Sequence, residues 1–149
     1  MKKFVVVAGN IGVGKSTLVE MMCGRLACQP FYEPVTENPY LADFYRDMNL
    51  WSFHSQIFFL TNRLRIHHDL VRAPGSVIQD RSIYEDAEIF AYNLFLQGNF
   101  SERDYNTYRT LYRTLAEYLP PPDLLVRTGG EQRISTHPVE PDCLAQPGL

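Results

Sequence analysis

The chain has 149 residues, of which 45% are hydrophobic and 21% are charged, and its formal net charge at pH 7 is −3. This length and composition are typical of one globular domain with a sizeable core. The slight acidity argues against a surface that binds a polyanion, so we expect no nucleic-acid polymer as a partner. No apolar run approaches the roughly 20 residues that cross a bilayer, so we expect no membrane partner.

The cysteines indicate the redox compartment. Cys23, Cys28 and Cys143 are odd in number and lack the paired spacing of zinc ligands. This usage predicts a reducing, cytoplasmic environment. The apolar run at residues 4–7 is too short to be the core of a secretory signal.

The first element in chain order is an apolar strand at residues 4–8, followed by a glycine-rich loop and a helix from Lys15. Gly9, Gly14, Lys15 and Ser16 occupy the fixed positions of a P-loop. Such a loop turns backbone N–H groups toward a polyphosphate, and the helix adds its positive end. The sequence predicts an ATP site with Lys15 on the β- and γ-phosphates and Ser16 on Mg²⁺. The residues expected to bind the nucleotide are Gly9, Asn10, Ile11, Gly12, Val13, Gly14, Lys15, Ser16 and Thr17.

The remaining strand and helix signals alternate along the chain. We predict strands at residues 30–32, 76–79 and 123–126, and helices at residues 40–45, 51–71, 83–94 and 101–119. This order favours an α/β fold, a parallel sheet covered by helices. Ligands of such sheets bind at the carboxyl ends of the strands.

Charged side chains follow the second and third predicted strands. Glu33 lies where a carboxylate can accept the proton of an attacking hydroxyl, and Glu37 competes for this role. Asp80 can bind Mg²⁺, and the adjacent Arg81 can neutralise charge on the transferred phosphoryl group. From the residues alone, a solvated loop glutamate and a helix cap with a surface ion pair remain open alternatives.

Three polar residues fall where core-facing helices are normally apolar. Gln56 and Arg63 are seven residues apart on one predicted helix, so they share a face. Asp86 lies on the helix after Arg81, with Phe90 four residues further on. The Gln56 amide can read a nucleobase edge, and an Asp86–Arg63 ion pair can present an acceptor to an exocyclic amine. Solvation of all three is the alternative that periodicity leaves open.

Four motifs in order make the chain resemble the deoxyribonucleoside kinases of the deoxycytidine, deoxyguanosine and deoxyadenosine kinase type. They are residues 9–17 (GNIGVGKST), 32–35 (YEPV), 51–56 (WSFHSQ) through Arg63, and 80–86 (DRSIYED) with Phe90. The resemblance covers about residues 1–126. It implies a P-loop NTPase-type fold and ATP-dependent phosphorylation of the 5′-hydroxyl of a deoxyribonucleoside in nucleotide salvage. It also implies a homodimer.

The resemblance implies a role for each candidate residue. Glu33 is expected to be the general base for the substrate 5′-hydroxyl, Arg81 to assist phosphoryl transfer, and Asp80 to help hold Mg²⁺. Tyr45 matches the tyrosine that meets the sugar 3′-hydroxyl. The expected base-binding residues are Gln56, Arg63, Asp86 and Phe90. Because the Arg63 and Asp86 combination is similar to members that accept purines or cytosine, we expect a purine deoxynucleoside.

The resemblance stops after the fourth predicted strand. From Arg127 the apolar periodicity is lost, so we expect a kinase core at residues 1–127 and an irregular or disordered tail at 128–149. The last strand, the arginine-bearing lid and the final helix of the family have no counterpart in this tail. We hypothesise a frameshift or truncated reading frame, for which another frame of the DNA should encode an arginine-rich helix. Without lid arginines we expect weak or absent activity.

Two alternatives to a deoxyribonucleoside kinase remain open from the sequence. One is a catalytically impaired fragment that binds nucleotide without transfer. The other is a nucleoside monophosphate kinase, which shares the loop and sheet but needs further cations to grip an acceptor phosphate. Residues 32–35 favour a neutral hydroxyl acceptor over a phosphate.

Overall fold

The computed structural model describes residues 1–9, 14–32 and 37–128. Its four strands are β1 (Phe4–Gly9), β2 (Gln29–Phe31), β3 (Val77–Asp80) and β4 (Leu124–Thr128). All of them pair in parallel, in the spatial order β2-β3-β1-β4. The predicted α/β fold, a P-loop NTPase-type parallel sheet with flanking helices, is therefore confirmed.

The helices follow the predicted segments to within a few residues. They are α1 (Lys15–Leu26), α2 (Leu41–Arg46), α3 (Met48–Arg72), α4 (Ile83–Glu85), α5 (Tyr92–Leu96) and α6 (Glu102–Ala116). The predicted helix at 83–94 is interrupted, because Asp86–Ala91 form a π-helical segment between α4 and α5. Of the predicted tail, only Thr128 belongs to the described residues, and it ends β4.

The described residues form two compact units, which we call the sheet unit and the helical unit. The sheet unit consists of residues 1–9, 14–32, 66–82 and 121–128, and the helical unit of residues 37–65 and 83–120. The sheet unit thus contains all four strands and α1. The helical unit contains α2, most of α3, and the helices from α4 to α6.

The core of the sheet unit is built on both faces of β1. Val6 packs with Leu70 and Val77, while Val7 packs with Val19 of α1 and with Ile78. Successive side chains of a strand point to opposite faces, so the uninterrupted apolar run of β1 fits a strand that is buried on both sides.

The core of the helical unit includes an aromatic stripe on α6. Tyr105, Tyr108 and Tyr112 are buried, as their helical spacing predicts. The Ser101 hydroxyl accepts a hydrogen bond from the Asp104 backbone N–H at 3.1 Å, so Ser101 is the N-cap of α6. In the part of the chain that the structure describes, no helix combines the length and apolarity of a membrane span.

Candidate active site

The residue directly before α1 in the sheet unit has an unusual backbone conformation. Gly14 precedes the helix with φ of +83°, in the left-handed region that glycine adopts without steric cost. A Cβ atom at Gly14 would meet no atom within 4 Å, so backbone conformation and not space requires the glycine. Asn10 to Val13 lie outside the described residues, and Thr17 is an exposed residue of α1.

Lys15 is held against the end of β1. Its side chain is 8% exposed, and its Nζ donates a hydrogen bond to the Gly9 carbonyl at 2.8 Å. A lysine is rarely buried without a polar partner, and here the Gly9 carbonyl provides a partner for the ammonium group. The positive charge thus lies at the carboxyl end of a central strand, where open α/β sheets bind ligands.

Ser16 and Asp80 are brought together at the same edge of the sheet. The Ser16 hydroxyl donates a hydrogen bond to Asp80 Oδ2 at 2.6 Å, and Asp80 is buried. Asp80 ends β3, where it is paired in parallel register with Val7 of β1. The two residues predicted to bind Mg²⁺ are therefore adjacent, and their hydroxyl and carboxylate oxygens are the kind of ligand that this ion prefers. Within the described ranges no cluster of three or more His, Cys, Asp or Glu side chains has the geometry of a metal site.

Arg81 adopts a backbone conformation that is unusual for a residue other than glycine. Its φ is +64°, and its backbone N–H donates to the Val7 carbonyl at 3.0 Å. A left-handed residue with a Cβ costs roughly 1–2 kcal/mol, and such strain is typical of functional positions. The strain supports a role for Arg81 beyond capping the following helix. We call Gly14, Lys15, Ser16, Asp80 and Arg81 the phosphate group of residues.

The predicted general base follows β2. Glu33 lies outside the described residues, and Glu37 is exposed. Phe31 of β2 is paired with Gln79 of β3, so the chain leaves β2 beside the end of β3. The pKa of Tyr32 is raised by partial burial and by nearby groups that include the Asp80 carboxylate, which fits this register. The role of Glu33 stays a prediction.

The helical unit buries the polar residues that the sequence placed at unusual positions. Arg63 of α3 is 3% exposed and Asp86 of the π-helical segment is 6% exposed. Arg63 Nε donates to Asp86 Oδ2 at 2.5 Å, and Gln56 is buried two turns earlier on α3. The alternative that these side chains are solvated is therefore wrong. We call Gln56, Arg63 and Asp86 the buried polar group.

A buried ion pair of this kind is weak evidence for stability. Removing two charges from water costs several kcal/mol per ion, roughly the size of what their attraction returns. Well-packed apolar side chains would stabilise the fold as well or better, so stability does not account for the buried pair. Asp86 itself lies in the π-helical segment, and π-helical turns occur frequently at functional sites.

Two further predicted substrate residues have different environments. Phe90 lies in the π-helical segment and is partly buried. Asp86 and Ala91, at the two ends of this segment, are both buried. Tyr45 is 69% exposed on α2, with its ring 5.4 Å from that of Phe44 in an edge-to-face arrangement. Its contact with the sugar stays a prediction.

Other buried polar residues accompany this group and were not predicted. Asn38 Nδ2 donates to Ser55 Oγ at 2.9 Å, which ties the segment before α2 to α3 next to Gln56. Glu85, directly before Asp86, is also buried. Ser55 lies on a predicted helix, so its position on that helix could have indicated that it is buried. Asn38 lies in a connection without periodicity, so the sequence offers no such indication.

Comparisons with known proteins place the chain among enzymes of one kind. Residues 5–128 match the family model described as deoxynucleoside kinase. The chain is 43% identical over 129 residues to the deoxyadenosine/deoxycytidine kinase of Bacillus subtilis, covering 85% of this chain and 59% of that protein. It is 36% identical over 122 residues to the deoxyadenosine kinase of Dictyostelium discoideum, covering 82% of this chain and 49% of that protein.

A third curated relative and a solved structure agree. The deoxyguanosine kinase of Lactobacillus acidophilus is 37% identical over 126 residues, with 82% of this chain and 55% of that protein covered. The structure of deoxyadenosine kinase from M. mycoides with bound dATP has 32% identity and a TM-score of 0.71, covering 86% of this chain and 64% of that one. The chain therefore spans between 49% and 59% of the length of these curated relatives.

Proposed function

The chain belongs to the deoxynucleoside kinase family, and we propose that it serves to transfer the γ-phosphoryl group of ATP to the 5′-hydroxyl of a deoxyribonucleoside. The observation that carries this proposal is a hydrogen bond between the P-loop serine and the aspartate that ends β3. Ser16 Oγ donates it to Asp80 Oδ2 at 2.6 Å. A purine deoxynucleoside as preferred substrate, a role in nucleotide salvage and a cytoplasmic homodimer belong to the same proposal.

The phosphate group of residues supplies the donor side. Backbone N–H groups around Gly14 and the Lys15 ammonium would hold the β- and γ-phosphates of ATP. Ser16 and Asp80 would hold Mg²⁺, and their adjacent oxygens fit that ion. When bound, Mg²⁺ neutralises charge on the phosphate oxygens.

On the acceptor side, the proposal assigns a proton acceptor and a charge partner. Glu33 would accept the proton of the 5′-hydroxyl as its oxygen attacks the γ-phosphorus and ADP leaves. Arg81 would balance the negative charge that spreads over the transferred oxygens. The backbone strain at Arg81 supports this assignment.

The buried polar group supports recognition of a base with an exocyclic amine. Asp86 accepts a hydrogen bond from Arg63 at Oδ2, and a carboxylate can accept several hydrogen bonds, including one from an amino group. Gln56 offers both a donor and an acceptor, which suits the paired donor and acceptor edge of adenine. Phe90 would stack on the base, and Tyr45 would contact the sugar 3′-hydroxyl.

One experiment separates this function from its alternatives. The chain is incubated with γ-labelled ATP, Mg²⁺ and either deoxynucleosides or deoxynucleoside monophosphates. A labelled 5′-monophosphate, most abundant with deoxyadenosine or deoxyguanosine, supports the proposal. Labelled diphosphate made from a monophosphate supports a nucleoside monophosphate kinase, and ATP binding without transfer supports an impaired fragment.

The 149-residue chain spans only part of its relatives, 59% of the one from Bacillus subtilis, so the assay is repeated on a longer protein. The same assay on a chimera that continues residue 126 with the C-terminal part of that relative is the control. Activity of the chimera with loss on Glu33→Gln would support the assigned base.

A further inference from the structure

Two of the three cysteines lie together at the end of α1. Cys23 belongs to the last turn of the helix and Cys28 directly precedes β2. Their Sγ atoms are 3.1 Å apart, and both residues are free thiols with partial exposure. This pair is independent of the proposed kinase function.

The turn after α1 explains why they meet. Residues five positions apart on a continuous helix point in different directions, about 140° apart around the axis. Ala27 interrupts the helix with φ of +48° and ψ of +51°, a left-handed conformation that folds the chain back. Such a residue commonly brings the position after it against a side chain in the last helical turn. Here those two positions are Cys28 and Cys23.

We propose that Cys23 and Cys28 form a redox-active dithiol, a modification site that a small-molecule disulfide such as oxidised glutathione converts into an intramolecular disulfide. The sulfur atoms need to approach by only about 1 Å to reach bonding distance. Partial exposure gives the reagent access to the pair.

The oxidation proceeds by two thiol–disulfide exchanges. In the first, a cysteine thiolate attacks one sulfur of oxidised glutathione, the S–S bond of the reagent breaks, and one glutathione thiolate leaves. In the second, the other cysteine thiolate attacks the protein sulfur of this mixed disulfide and displaces the second glutathione. The protein loses two thiol protons and two electrons, and the glutathione disulfide becomes two glutathione thiols.

The surroundings of Cys23 lower its reactivity. Burial, followed by the hydrogen bond and charge of Cys28, raises the pKa of Cys23 to about 11. The thiolate fraction of Cys23 at neutral pH is therefore smaller than that of an ordinary cysteine, so its own attack on the reagent is slow. The disulfide then ties the last turn of α1 to the start of β2, within the segment that joins Lys15 to Glu33.

Peptide mapping of the full chain tests the proposal directly. The chain is treated with oxidised glutathione at neutral pH, alkylated and digested with trypsin. Trypsin cuts after Arg25, between the two cysteines, so the disulfide joins peptides 16–25 and 26–46. Cys143 belongs to a third peptide, 134–149, and its products have different masses. We expect the joined 16–25/26–46 species to accumulate and to disappear after reduction.

The unfolded chain and serine variants are the controls. The joined species should form faster in the folded chain than in the same chain unfolded in urea, because folding holds the thiols together. Cys143→Ser should leave the joined species unchanged. Cys23→Ser should retain glutathione on Cys28, and Cys28→Ser should retain it on Cys23, because each variant lacks the second thiol that would displace it.

The outcome that overturns the proposal is equally specific. It is wrong if the folded chain forms the joined peptides no faster than the urea-unfolded chain. It is also wrong if glutathione accumulates as a stable mixed disulfide on Cys28 of the unsubstituted chain. Neither measurement requires the serine variants to fold or the chain to phosphorylate anything.

Discussion

The phosphate group of residues and the buried polar group are specified in different ways. Gly14, Lys15 and Ser16 are neighbours in the sequence, and their geometry follows from one left-handed glycine between a strand and a helix. Arg63 and Asp86 are 23 residues apart and meet only because α3 packs against the π-helical segment. A backbone motif can therefore be recognised from neighbouring residues in the sequence, whereas a side-chain pair depends on the tertiary fold. The two groups should respond differently to substitution.

The largest expected effect is on the stability of the helical unit. Arg63→Met removes a counter-charge from the buried Asp86 carboxylate, which should lower the free energy of unfolding by about 3–5 kcal/mol. Urea denaturation followed by circular dichroism measures this. The double variant Arg63→Met with Asp86→Leu removes both charges and should recover most of the loss. A double variant as unstable as the single one would contradict the assignment of the pair to recognition.

The corresponding substitution in the sheet unit should affect ligand affinity. Asp80→Asn keeps the shape of the side chain but removes the charge that would hold Mg²⁺. We expect the Mg²⁺-dependent part of ATP affinity to fall by about 10- to 100-fold, the size of a hydrogen bond to a charged group. Titration of a fluorescent ATP analogue with and without Mg²⁺ measures it. Equal losses under both conditions would contradict a metal role.

Two glycines of the sheet unit provide a matched test of the backbone argument. Gly14→Ala should destabilise the chain by about 1–2 kcal/mol, because its φ is +83°. Gly24→Ala, inside α1 and also without a neighbour within 4 Å of the added Cβ, should stabilise it by about 0.5–1 kcal/mol. Thermal unfolding of both variants gives the signs. If both glycines behave alike, backbone conformation is not what selects Gly14.

The phosphate group of residues and the buried polar group also differ in how well the sequence predicts them. The strand–loop–helix over β1 and α1 could be predicted because residue spacing and backbone geometry correspond directly. The meeting of Ser16 with Asp80 could be predicted because parallel strands end at one edge of a sheet. Helical spacing and family resemblance predict that Arg63 pairs with Asp86. The sequence alone does not decide whether the two side chains are buried or solvated, and the fold shows that both are buried.

Other features could not be predicted, for physical reasons. Arg81 and Ala27 adopt left-handed conformations that non-glycine residues rarely adopt, so their sequence carries no signal. The contact between Cys23 and Cys28 depends on that turn at Ala27. Residues 83–94 have the periodicity of a regular helix, so the sequence gives no signal for the π-helical segment at Asp86–Ala91.

The smallest effect should appear only at alkaline pH, next to the buried polar group. Tyr84 is buried two residues before Asp86, and burial raises the pKa of its phenol above the ordinary value of 10.0. The folded state therefore holds this proton more tightly than the unfolded state. The resulting stability is present in full below pH 10.0 and is lost as the pH rises through the folded-state pKa.

Tyr84→Phe removes this titration while keeping the ring that packs edge-to-face against Tyr112 at 6.5 Å. The variant should unfold at nearly the same urea concentration as the unsubstituted chain at pH 7, and its stability should fall less steeply above pH 10. Tyr118→Phe is the matched control, because Tyr118 is 82% exposed and should leave the pH profile unchanged. Parallel profiles for the unsubstituted chain and Tyr84→Phe would mean that the phenol ionises equally easily in the folded and unfolded states. In that case the segment leading to Asp86 would be open to water, and the exclusion of water from the Arg63–Asp86 pair would lose its support.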